Sequence, residues 1–279
     1  MKKEQNCLAC GRKLTLLGKN KGASIFKCLK CGLGVTQSVR QENYQTYHRD
    51  PVYLTSQKQF RNIFSKRMQI LSEFRDANYN GKALEVGSST GLILSLLKES
   101  GWEVLGIEPS HTAASNAREK GIATLNTTFE NAKLPPRSFD LVIFNHVLEH
   151  LTDPVKTLQK TNKVLRKKGL VFIDVPNFAS FSARVERETW RYILPKEHLW
   201  HFTPTALFML LQKAGFKVLY WETHSGIWDY GNPLQELWES LTTFKKRFFV
   251  NIITLIPSLI SSKMGAGSGL TVVAEKVHE

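Results

Sequence analysis

Cysteine is scarce in this chain of 279 residues: there are four, and none stands beyond position 31. A fold stapled throughout by disulfides is therefore excluded. No run of about 18 apolar residues occurs, so a membrane-spanning helix is not expected. The most apolar window, Phe248 to Ile260, is short and is interrupted by Asn251, Thr254, Pro257 and Ser258. The first ten residues are polar and charged, without the apolar stretch of a targeting segment, and the chain reads as cytosolic. The 18 Gly and 10 Pro follow no period, which excludes a collagen-like chain. A hydrophobic content of 42% excludes extended disorder. Acids are few, 24 against 38 Lys and Arg, leaving a net charge of +14. That charge fits nucleic acid, anionic lipid or phosphorylated small molecules, or simply a basic solvated surface.

The four cysteines form two matched turns, Cys7-Leu-Ala-Cys10-Gly11 and Cys28-Leu-Lys-Cys31-Gly32. Two thiolates on one tight turn point at one metal, and the following glycine can take a positive φ. Four thiolates close a tetrahedral shell with no open position, so a structural Zn²⁺ in a small ribbon over residues 1–40 is expected. A redox dithiol is the other reading. Nine Lys and Arg and one acid, Glu4, lie in these 40 residues; four thiolates and one Zn²⁺ still leave +6. Such a ribbon can grip RNA phosphates. It equally serves as a docking or lid module, because Phe26 alone offers a ring for base stacking.

From about residue 80 strands alternate with helices, which predicts a parallel sheet covered on both faces. Strands are expected at Lys82–Val86, Glu103–Ile107, Phe139–Phe144, Gly169–Ile173, Lys217–Trp221 and Leu270–Ala274, with a helix over Leu92–Glu99. Ligands of such sheets bind at the carboxyl ends of the strands. Glu85-Val-Gly87-Ser-Ser-Thr-Gly91 is a glycine turn preceded by an acid, and it is not the dinucleotide fingerprint G-x-G-x-x-G. Glu108 stands at the end of the second strand, where an acid accepts bonds from ribose hydroxyls. Together these describe a site for a ribose-bearing cofactor with a cationic tail.

With Gly106-Ile-Glu-Pro-Ser110, Glu130-Asn-Ala-Lys-Leu-Pro135, Ser138 to His150, Glu197-His-Leu-Trp-His-Phe-Thr203 and Ala214-Gly-Phe216, the chain resembles the class I methyltransferases dependent on S-adenosylmethionine (type 11/23-like) over roughly residues 40–279. The resemblance implies a Rossmann-like seven-stranded α/β sheet whose last strand is antiparallel and inserted between neighbours. It implies a layout of ribbon 1–40, helical arm 41–79 and catalytic domain 80–279, with an insertion near 225–268. It implies that Glu85 meets the methionine end and that Gly87, Ser88, Ser89 and Gly91 pass beneath the cofactor. Glu108 and Pro109 would lie at the ribose, Glu130 and Asn131 at the adenine, and Asn145 and His146 at the sulfonium. Many relatives carry Gly where Ser89 stands.

His146, His198 and His201 are the candidate catalytic residues; His198 and His201 would face the acceptor side, one as its base or both as structural hydrogen-bonders. His146, Glu149 and His150 would share a face if their segment were helical, a set that could bind a divalent ion or merely brace the loop; quinone-pathway O-methyltransferases place an acid, a Glu and a His at these offsets. Tyr44 and Tyr47 would line the cleft or pack. Lys156, Lys160, Lys163 and Lys167 are expected to form a solvated stripe. Residues 244–262, preceded by Lys245-Lys-Arg247, read as a lid or as a peripheral membrane contact. The expected reaction is methyl transfer to a small-molecule or lipid-linked acceptor, a saccharide or secondary metabolite for example, with oxygen favoured. The alternatives are an RNA or protein methyltransferase using the basic ribbon, and a non-catalytic cofactor-binding module.

Overall fold

The computed structural model describes residues 6–37, part of 61–74, 80–225 and 260–277. Tyr44, Tyr47 and most of the 244–262 stretch lie outside the described residues. Among the described residues, no helix is long and apolar enough to cross a membrane.

The central sheet is built from β4 (Lys82–Val86), β5 (Glu103–Ile107), β6 (Thr124–Leu125), β7 (Phe139–Asn145), β8 (Leu165–Pro176), β10 (Phe216–His224) and β11 (Gly269–Lys276). Their order is β10-β11-β8-β7-β4-β5-β6. β4, β5, β6, β7 and β8 pair in parallel. β11 runs antiparallel to both its neighbours, which confirms the inserted last strand. Leu141–Phe144 in β7 and Leu170–Ile173 in β8 are apolar runs buried on both faces. Phe139, Phe144 and Phe172 are fully buried there, each burial stabilising by about 1.5–3 kcal/mol.

The helices are set by their ends. α1 (Leu92–Glu99) buries Ile93, Leu94 and Leu97 at helical spacing. In α2 (His111–Glu119) the Ser110 hydroxyl accepts the Ala113 N–H. α3 (Pro154–Val164) starts on Asp153, which accepts from Lys156 N, with proline in its first turn. A short α4 (Phe181–Glu186) follows β8. α5 (Pro204–Lys213) starts on Thr203 in the same way as α3. Such caps are each worth about 1 kcal/mol. The basic stripe is solvated at Lys156, Lys163 and Lys167 as expected, but it is not one helical face and Lys160 departs from it. Lys167 belongs to β8, and Lys160 donates to the carbonyls of Phe129, Glu130 and Ala132, tying down the loop after β6.

The amino-terminal ribbon consists of β1 (Leu14–Asn20), β2 (Ala23–Cys28) and β3 (Gly34–Gln37). It does not stand apart. Its sheet gains a fourth strand, β9 (Trp200–His201), from the α/β part of the chain.

Candidate active site

The loop after β4 turns sharply under the carboxyl ends of the strands. Gly87 (φ 68°), Ser89 (φ 46°) and Gly91 (φ 75°) all take left-handed backbone. A non-glycine side chain in this conformation costs about 1–2 kcal/mol. Ser89→Gly is therefore expected to raise the unfolding free energy by about 1 kcal/mol while cofactor affinity holds. Denaturant melts and calorimetry on both proteins check this.

Glu85 ends β4 with its side chain buried, and its Oε2 has no hydrogen-bond partner. Burial first, and then the charge of Glu108, raise its pKa well above the usual carboxylate value. Glu108 is oriented by two backbone donors: Ser89 N reaches Oε2 at 2.9 Å and Ser110 N reaches Oε1 at 2.8 Å. A carboxylate is an acceptor-only group, the type that ligand hydroxyls donate to. Phe64, Ser88, Ser89 and Asn145 line the same cleft as Glu85. An orphaned buried carboxyl beside left-handed glycine turns fits a ligand carrying an ammonium group. Pro109 is half-buried beside Glu108, and its carbonyl, like that of Glu108, accepts from Asn126. Glu130 and Asn131 are exposed on the loop that Lys160 holds. A larger cavity, about 610 Å³, is lined by Pro135, Pro136, Lys163 and Val164. These residues precede β7 and β8, so it opens at the opposite edge of the sheet.

A second set of groups meets at the carboxyl ends of β7 and β8. Asp174 is fully buried. Its Oδ2 lies 3.1 Å from Arg67 Nε and 3.4 Å from His224 Nε2, and accepts from Thr271 Oγ1 at 3.0 Å. Its Oδ1 lies 3.5 Å from His146 Nε2, while His146 Nδ1 lies 3.5 Å from Glu149 Oε1. Arg67 also donates to Asn145 Oδ1 at 2.7 Å. Burial alone would push the Asp174 carboxyl up; Arg67, His224 and His146 hold it far below the usual carboxylate range. Burial works against a charge on His146, but Glu149 and Asp174 outweigh it and raise its pKa.

The expected helical face at 146–150 is corrected. His146 takes φ 53°, and only Leu148–His150 forms a short 3₁₀ turn. The residues whose ligand atoms converge are Glu149, His150 and His198, within 4.8 Å of one another. His146 turns to Asp174 instead. His150 Nδ1 meets Glu197 O at 3.0 Å and His198 Nδ1 meets Tyr192 O at 2.7 Å. Burial lowers the His198 pKa to about 4, so its imidazole is neutral at pH 7. As a donor set this group suits a divalent cation, and as a polar cluster it braces the chain at Glu197–Leu199.

Of the two readings of His201, the structure has the structural hydrogen-bonder. It is buried, its Nε2 is 2.7 Å from Thr36 Oγ1 of the ribbon, and its ring packs on Phe178. Burial lowers its pKa to about 3. It is a contact between ribbon and domain and is not presented to an acceptor.

The cysteines converge as their spacing implies. Cys7 Sγ–Cys31 Sγ and Cys10 Sγ–Cys28 Sγ are both 3.4 Å, and all four sulfurs lie within 4.8 Å of one another. A tetrahedral zinc with ~2.3 Å bonds needs sulfurs ~3.8 Å apart, so the residues fit. The turns repeat: Gly11 N donates to Cys7 O and Gly32 N to Cys28 O, with both glycines at positive φ.

Sheet order and cleft define an S-adenosylmethionine-dependent methyltransferase of the class I, Rossmann-like kind. The chain belongs to the methyltransferase domain family, whose profile (Methyltransf_23) matches residues 56–220. It is 27% identical over 183 residues to an uncharacterized methyltransferase of Geobacillus sp. (strain WCH70), covering 61% of this chain and 85% of that one. It is 30% identical over 165 residues to the ubiquinone biosynthesis O-methyltransferase of Cereibacter sphaeroides (strain KD131), covering 53% and 67%. Its fold matches a SAM-dependent methyltransferase from Thermotoga maritima (TM-score 0.55, 22% identity, 81% of this chain and 95% of that one). It also matches one from Archaeoglobus fulgidus (TM-score 0.56, 20% identity, 81% and 100%).

Proposed function

We propose that this enzyme methylates a small-molecule or lipid-linked acceptor, at oxygen, with His146 as general base and a structural Zn²⁺ on Cys7, Cys10, Cys28 and Cys31. The observation that carries the reading is the line Asp174–His146–Glu149 at the carboxyl edge, next to Asn145 in the cleft. S-adenosylmethionine supplies an activated methyl on a sulfonium. Glu85 holds the ammonium and Glu108 the ribose hydroxyls. His146 takes the acceptor proton on a ring nitrogen, and Glu149 and Asp174 stabilise the resulting imidazolium. Alignment supplies ~7–11 kcal/mol of barrier reduction in such displacements, and a base adds about 10²–10⁴-fold for a hydroxyl acceptor. The curated relative named as an O-methyltransferase supports oxygen as the acceptor atom.

The test uses cofactor labelled on its methyl group, incubated with the enzyme and a lysate of the source cells, then fractionated. Label is expected in lipid or small solutes above a Glu85→Ala control. Label confined to RNA or protein would overturn the acceptor class and make the basic ribbon a target-binding element. RNA retention of that kind would weaken with salt and with neutralisation of Lys13, Lys19 and Lys21.

A further inference from the structure

We propose that the metal-ordered ribbon is a working part of the acceptor side: through β3 it holds β9 and the turn that carries Glu149, with Thr36 as the positioning residue. The inference rests on the zinc reading above.

The connection is a continuous series of bonds. β3 follows the second cysteine turn directly and pairs antiparallel with β9, Gly34 opposite His201 and Val35 opposite Trp200. Thr36 N donates to Leu199 O at 2.9 Å, and Leu199 N donates to Glu149 O at 2.9 Å. One residue therefore joins the ribbon to the turn whose carboxylate faces His146. Thr36 Oγ1 meets His201 Nε2, and Trp200 Nε1 donates to Leu151 O at 2.8 Å. The metal-binding turns are themselves held. Thr203 Oγ1 donates to Cys31 O at 2.6 Å, and Lys213 Nζ donates to Leu8 O at 2.8 Å.

Packing follows the same route. Cys7, Cys28, Cys31, Leu33 and Val35 are buried in one apolar cluster with Trp200 and Phe202. A Cβ on Gly34 would meet the Phe178 ring at 2.6 Å, so ribbon and domain are in close van der Waals contact there. About 30 residues cannot form a stable core alone, and in such modules metal binding and folding are one equilibrium. Loss of the metal then removes β3, the strand that β9 pairs with, and leaves 199–202 held by Leu199 N to Glu149 O, Trp200 Nε1 to Leu151 O and Phe178 N to Phe202 O. The cofactor half is bonded differently: β4 is flanked by β5 and β7, with no ribbon strand between them.

The experiment is hydrogen exchange of the full chain before and after chelation, with bound zinc counted first. The expected result is one zinc per chain and, on its removal, exchange faster by at least about tenfold in 6–37 and also in 197–203 and 148–151. β4 and β5 keep their protection, and cofactor affinity stays within about twofold. Zinc-free protein as purified would overturn the zinc reading and this inference with it. Zinc present but faster exchange confined to 6–37 would overturn the inference alone, as would equal loss of protection in β4. A second variant, Thr36→Val, keeps the metal and the strand. It is expected to move the His201 imidazole NMR signals and to lower kcat several-fold with cofactor affinity unchanged. Unmoved signals and full kcat would contradict a positioning role.

Discussion

His146→Gln is expected to lower methyl transfer by about 10²–10⁴-fold, the usual contribution of a positioned base. Glutamine keeps hydrogen-bonding capacity but cannot accept the acceptor's proton. Glu149 and Asp174 flank the two ring nitrogens at 3.5 Å each. Burial disfavours the charged ring and Arg67 opposes it too, yet the two carboxylates prevail and the pKa is raised. A base acts only when unprotonated. The rate should therefore rise with pH through a midpoint above ~6.5, the ordinary histidine value. The stability linked to this group has the opposite course: fully present below ~6.5, it is lost as pH rises through the folded-state pKa. The pH–rate profile of wild type and variant, with cofactor affinity measured alongside, checks this. A variant that keeps full rate, or a profile flat from pH 5 to 9, would remove His146 from the chemistry.

Arg67→Met should destabilise the fold by about 3–5 kcal/mol, the cost of leaving one partner of a buried ion pair alone. Arg67 and Asp174 are 6% and 0% exposed, with Nε and Oδ2 3.1 Å apart. The remaining neighbours, His224, His146 and Thr271, leave Asp174 without its full-time cation. Because the Asp174 pKa is depressed, its stabilisation is present above ~3.9 and is lost only as pH falls through the much lower folded value. Losing Arg67 raises that value, so acid unfolding should begin at higher pH. Adding Asp174→Leu to Arg67→Met should recover much of the loss, since both charges are then gone. Denaturant unfolding of the three variants checks this; a loss under about 1 kcal/mol for Arg67→Met would contradict the buried-pair account.

Much of the sheet was legible in sequence because its strands are buried on both faces. Leu141–Phe144 and Leu170–Ile173 are apolar runs, and Leu92–Glu99 repeats its apolar residues at helical spacing. Glu85 and Glu108 were legible as acids closing apolar strands. Asp174 carried the same signal, within Val171-Phe-Ile-Asp-Val175, and was missed because no glycine turn marks it. Arg67 had no local signal: only the tertiary fold brings the amino-terminal arm to Asp174. The helical face that would have joined His146, Glu149 and His150 does not form, because His146 takes left-handed backbone at φ 53°, which leaves no trace in apolar spacing. Which of its two readings His201 takes was not legible, since its partner Thr36 lies in the ribbon. The pairing of the ribbon with β9 was not legible, because β9 is two residues long, too short to show a pattern, and lies far from β3 in the chain.

Calorimetric titration with S-adenosylmethionine, on wild type and Glu85→Gln, tests the account most directly. Glu85 is buried and its pKa is raised in the free protein, and an ammonium partner favours the charged form. Binding to wild type is therefore predicted at one site, with proton release and tighter affinity as pH rises. Glu85→Gln should bind about 10–150-fold more weakly, the range for losing a charged hydrogen bond of about 1.5–3 kcal/mol, and should release no proton. Equal affinities and equal proton release in the two proteins would contradict the account.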